Sequence, residues 1–65
     1  MKEGDTLHIT GNSIFEMMGF QKVTGKVFLV YPDGYGFSFK CDQTGALEIC
    51  DLNDGDIQVK GKQND

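Results

Sequence analysis

The 65-residue sequence predicts an all-β fold, a small five-stranded barrel in one domain spanning residues 1–65. Three observations point there. Five short segments alternate apolar and polar residues. Turn signals rich in Gly, Asp and Asn separate them, and the chain holds nine glycines. One stretch alone breaks the alternation, between the first two segments.

The first segment is Thr6 to Thr10, where Leu7 and Ile9 share one face and Thr6, His8 and Thr10 the other. The second runs from Gly25 to Tyr31 and is apolar on both faces: Val27, Leu29 and Tyr31 on one, Phe28 and Val30 on the other. Such a strand is expected at the centre of a sheet or under a loop. Tyr31-Pro32-Asp33-Gly34 reads as a type I turn, with proline pre-setting φ and glycine free to take φ > 0. The third segment sets Tyr35, Phe37, Phe39 and Cys41 on one face against Gly36, Ser38 and Lys40 on the other. After the turn Asp42 to Gly45, the fourth segment, Ala46 to Cys50, is expected to point Leu47 and Ile49 inward. Asp51 to Gly55 forms a further short turn, and the fifth segment, Asp56 to Lys60, points Ile57 and Val59 inward. Residues Gly61 to Asp65 are expected to be an unstructured tail.

The exceptional stretch is Gly11 to Lys22. Ser13 and Glu16 have the S-x-x-E spacing of a capping box, and Gly19 stands where a left-handed residue would end a helix. A helical turn over residues 14–18 follows. The stretch concentrates Ile14, Phe15, Met17, Met18 and Phe20 in an otherwise polar chain. One face is expected to plug the barrel through Ile14 and Met17, leaving Phe15 or Met18 outward as a docking surface. The candidate partner-binding residues are therefore Ile14, Phe15, Met18 and Phe20.

Composition narrows the function classes. The net charge is −4, with six lysines and no arginine, whereas nucleic-acid surfaces draw most of their affinity from basic contacts to phosphate. No apolar run approaches the roughly 20 residues that span a bilayer. Met1 to Asp5 carries no apolar signal segment, which predicts a cytoplasmic protein. Cys41 and Cys50 are expected to stay reduced and, lacking close Cys spacing, to bind no metal with His8. Counted as a calcium loop from Asp51, the Asp51–Asp56 run puts Gly55 at position five and Lys62 at position twelve, where ligands are needed. The single histidine has no placed nucleophile, and no glycine-rich phosphate loop leads into a long helix. The expectation is a non-enzymatic chain with no cofactor and no metal.

The order of strand, long loop, tight hairpin, short strand, short 3₁₀-like turn and final strand resembles the SH3-like barrel over residues 4–61. That architecture occurs in SH3, KOW and Tudor domains and in many small bacterial and phage proteins. A second, local resemblance is to the cold-shock domain, an OB barrel whose second strand begins K-G-[FY]-G-F. Gly34, Tyr35, Gly36 and Phe37 match that motif. Asp33 replaces its basic residue, Leu29 falls at its tryptophan, and Leu47 to Cys50 replace its V-F-V-H. The cold-shock resemblance implies an alternative OB-like or KOW-like nucleic-acid module using Phe28, Tyr31, Tyr35 and Lys40. One stacked base is worth about 1–3 kcal/mol, and burying one large apolar side chain about 1.5–3 kcal/mol. So small a chain needs Phe37 and Phe39 for its core. The leading expectation is an accessory or inhibitory module, of the kind phages encode. It would bind a protein, a host protein or a second copy of itself as a homodimer, with nucleic acid and membrane disfavoured as partners.

Overall fold

The computed structural model describes residues 1–60, so the predicted tail lies outside the described residues. Five antiparallel strands form one sheet in the order β4-β3-β2-β1-β5. They are β1 (Thr6–Thr10), β2 (Lys22–Val30), β3 (Gly36–Cys41), β4 (Leu47–Asp51) and β5 (Asp56–Lys60), with one short helix, α1 (Ser13–Met17), between β1 and β2. Among the described residues, no helix is long and apolar enough to cross a membrane.

The alternation of β1 is realised: Leu7 and Ile9 are buried, and β2 and β5 flank them. Val23 and Val27 of β2 join them, with Phe37, Phe39 and Cys41 of β3 and Cys50 of β4. The Phe37 and Phe39 rings lie 5.8 Å apart between centroids. Phe20, Val30, Leu52 and Ile57 pack against this core. Val59 shares the Ile57 face but stays part exposed on the edge strand, contrary to the inward placement expected of it.

Two strands depart from simple alternation. On β2 the pairing with β3 shifts between Val27 and Leu29, a bulge at Phe28. Past the extra residue the faces exchange, so Val30 turns to the core while Phe28 and Leu29 are both half-exposed. The single face expected to hold Val27, Leu29 and Tyr31 is thus broken after Val27. On β4 the expected face is reversed: Leu47 and Ile49 point outward, whereas Cys50 is buried and Glu48 half-buried. Register decides this. The turn after Cys41 pairs Lys40 with Leu47, Ser38 with Ile49, Phe39 with Glu48 and Phe37 with Cys50. Directly paired residues share a face, so the inward phenylalanines bring Glu48 and Cys50 with them.

The helix begins one residue earlier than the capping box implies. Asn12, not Ser13, is the N-cap: its Oδ1 accepts from the Ile14 and Phe15 N–H groups at 3.0 and 3.1 Å. Ser13 is turned instead to the β4–β5 turn, donating from its N–H and hydroxyl to the Asp54 carboxylate at 3.1 and 2.7 Å. The helix stops as expected. Gly19 has φ +96°, its N–H donates to the Glu16 carbonyl, and the Phe20 N–H donates to the Phe15 carbonyl. These two bonds make a Schellman motif, with Phe20 brought back toward the core beside Phe15.

Candidate functional site

Asn12 fixes the rotation of α1, and that rotation corrects the predicted docking surface. Phe15 is 2% exposed and meets the Phe39 ring edge-on, at 5.9 Å and 73°. It is the inward plug. Ile14 and Met17, expected inward, are exposed, Met17 to 89%, and Met18 is half-exposed. A five-residue helix has room for one buried anchor, and the cap hands that place to the residue at N3. Of the four candidate partner-binding residues, Ile14 and Met18 reach solvent, Phe20 is half-buried and Phe15 belongs to the core.

Ile14 lines a cleft of about 340 Å³ together with Tyr31, Asp33, Tyr35, Gly36, Ile49, Cys50 and Asp51. The stretch Asp33 to Lys40 divides between this cleft and the core. Gly34, at φ +79°, closes the turn by donating to the Tyr31 carbonyl. Asp33 Oδ1 accepts from the Tyr35 N–H at 2.8 Å, which holds the Tyr35 backbone in place while its ring is 64% exposed. Gly36 has a steric reason: a Cβ there would lie 3.1 Å from Tyr31 Cδ2. Without one, the Tyr31 ring rests on the strand. Phe37 and Phe39, the next two aromatics, are wholly buried.

The cleft has an apolar and aromatic lining with two exposed carboxylates, Asp33 and Asp51. Asp51 is also held by a backbone contact, its Oδ1 accepting from the Asn53 N–H at 2.7 Å. Cys50 contributes to the lining but not as a nucleophile. Burial pushes its thiol up to about 12, and Asp54, Cys41 and Glu48 nearby act in the same direction. A neutral buried thiol is inert. Both cysteines are buried and free. Among the described residues, no group of three or more His, Cys, Asp or Glu side chains could hold a metal ion.

The four residues of the alternative nucleic-acid set are not brought together. Tyr31 and Tyr35 share the cleft. Lys40 stands opposite Lys26 toward the other end of β3, and Phe28 projects at the β2 bulge. Ile49 and Asp51 are cleft residues that sequence reasoning missed, Ile49 because it was assigned to the core. The odd-even pairing across the Asp42–Gly45 turn is the one signal that would have found it. The chain matches none of the family models, curated proteins or solved structures with which it was compared.

Proposed function

We propose that this chain is a non-enzymatic protein-interaction module built as an SH3-like barrel, and that it docks an extended segment of a protein partner in the cleft between α1 and the Tyr31–Tyr35 turn. The observation that carries this reading is the cleft lining. Ile14, Tyr31, Tyr35 and Ile49 converge from three separate parts of the chain, and Asp33 and Asp51 stand among them. Aromatic and aliphatic side chains left in solvent around a concavity are typical of interaction sites. Tyrosine suits such a site because it offers large area at low entropic cost. The carboxylates favour a segment with a lysine or arginine beside its apolar residues. The strand order, with β5 returning to pair with β1, supports the SH3-like reading over the OB-like one. An accessory role of the kind phages encode, in the cytoplasm, agrees with a small acidic chain.

Stacking of bases on Tyr31 and Tyr35 is the second reading, favoured by the exposure of Tyr35. Two carboxylates in the same cleft oppose a phosphate backbone. Selection from a library of random displayed peptides, against wild type and Tyr35→Ala, tests both. The proposed function expects enriched peptides that pair apolar residues with Lys or Arg, and loss of that enrichment in the variant. Failure to enrich any sequence, together with oligo-dT binding that falls steeply with salt, would replace it by the nucleic-acid reading.

A further inference from the structure

β4 is an edge strand, and the register shows which of its backbone groups face outward. At its ends the Cys41 N–H donates to the Ala46 carbonyl at 3.0 Å, and the Leu52 N–H to the Tyr35 carbonyl at 2.8 Å. Both bonds fall on the β3–β4 register, so the pairs that exchange hydrogen bonds include Phe39 with Glu48 and Phe37 with Cys50. The N–H and C=O groups of Leu47, Ile49 and Asp51 therefore point away from β3. Among the described residues, only the Asp51 carbonyl of these groups is engaged, accepting from the Asp54 N–H at 3.1 Å.

This edge is unguarded. Natural sheets block exposed edges with lysine, proline or a bulge. β4 has none of these: Leu47 and Ile49 stand exposed along it, and its pairing with β3 is unbroken. Its inward carboxylate, Glu48, is held by the Thr44 hydroxyl at 2.8 Å. The sheet's other edge, β5, differs. The bond from the Val27 N–H to the Asp5 carbonyl fixes the alternation on β1, so Ile57 and Val59 carry the outward groups of β5. Asp56 and Lys60 bracket them with charge, and the cleft does not reach them. At β4 it does, since Ile49, Cys50 and Asp51 all line it. Consecutive strand residues point to opposite faces, so a cleft bordered by all three meets the backbone of the strand.

We propose, resting on the cleft reading above, that the partner's segment enters as an added strand beside β4. Its backbone pairs with the outward N–H and C=O groups of Leu47 and Ile49 and with the Asp51 N–H. The occupant is an extended peptide because its own N–H and C=O groups recur at the ~6.8 Å repeat of alternate strand residues. Its side chains then alternate. Those opposite Leu47 and Ile49 lie beside these exposed residues, and those opposite Glu48 and Cys50 turn toward α1, where Ile14 borders the cleft. Main-chain bonds give such a site its affinity, and the cleft selects the alternate side chains.

The test uses the full chain and the peptide most enriched from the displayed library, its backbone amides N-methylated one at a time. The expected result has a period of two: alternate methyl groups weaken binding about tenfold or more, and those between change it by less than about threefold. Amide exchange reads the protein side. In the free chain Glu48 and Cys50 exchange slowly and Leu47, Ile49 and Asp51 fast, and bound peptide slows Ile49 and Asp51 about tenfold or more. Ile49→Pro deletes an outward N–H without touching the ladder to β3, and weakens binding about tenfold beyond Ile49→Ala. The methylated peptides leave the protein unchanged, so they remain decisive should Ile49→Pro fail to fold. A peptide that shifts Tyr31 and Tyr35, yet shows no period of two and protects neither Ile49 nor Asp51, overturns strand addition and leaves docking in the cleft intact. Slow exchange of Leu47 and Ile49 in the free chain overturns it too, since the edge is then already covered. If no enriched peptide binds, docking in the cleft falls and strand addition with it.

Discussion

Asn12 accepts from two helical N–H groups with one oxygen and donates from its Nδ2 to the Asp54 carbonyl at 3.1 Å, all while buried. Asn12→Ala removes the cap and leaves a partly buried carbonyl unpaired. The expected loss is about 2 kcal/mol, measured by urea unfolding. Ser13→Ala is milder and acts through Asp54. The Ser13 hydroxyl and N–H bonds hold the exposed Asp54 carboxyl below its ordinary range. A carboxyl held low in the folded state stabilises above the ordinary value near ~4, and that contribution disappears as pH falls below it. Ser13→Ala should therefore flatten the acid limb of stability against pH. Cys50 has the opposite sign. Its thiol stays protonated in the fold up to about 12, whereas the unfolded thiol ionises near 9.0, so stability declines as pH rises between these values. At neutral pH both thiols should resist a thiol-reactive probe until denaturant opens the core.

At the scale of elements, Phe15 against Met17 separates packing from display. Phe15→Ala should cost about 3–5 kcal/mol, as buried aromatic truncations do, while Met17→Ala changes stability by about 0.5 kcal/mol or less. Gly25→Ala tests the β2–β3 contact. A Cβ there would fall 2.9 Å from the Lys40 carbonyl carbon and 2.7 Å from Phe39 Cδ2, and backbone cannot yield cheaply. A melt that abolishes the transition in Gly25→Ala checks it. These elements also show what a sequence discloses. Each strand was legible in place, because alternation and turn residues are local, and Gly19 marked the helix end for the same reason; β2, however, begins at Lys22, three residues before the expected Gly25, so the buried Val23 was not foreseen. The inward face of β4 was not, because Leu47 and Ile49 obey a register set by β3 and not their own hydrophobicity. The Phe28 bulge and the choice of Asn12 over Ser13 were hidden for a related reason: each rests on a partner far along the chain.

For the molecule as a whole, the site was legible only by halves. Ile14, Tyr31 and Tyr35 could be singled out as aromatic or apolar residues in loops, but nothing in their spacing says that they meet Ile49 around one cleft. The fold joins them by bringing the β1–β2 loop, the β2–β3 turn and β4 to a common edge. The same arrangement places charge, so an acidic molecule of net charge −4 shows carboxylates at the cleft and the paired Lys26 and Lys40 toward the other end of β2 and β3. Protein docking through this cleft is the central claim. It is tested most directly by a map of backbone amide shifts, recorded as a selected apolar, lysine-containing peptide is titrated into labelled protein. The account predicts shifts clustered at Ile14, Tyr31, Tyr35, Gly36 and Ile49, retained in part at high salt because apolar contacts are unscreened. Shifts confined to Lys26, Phe28 and Lys40, or absent from the cleft altogether, would contradict it.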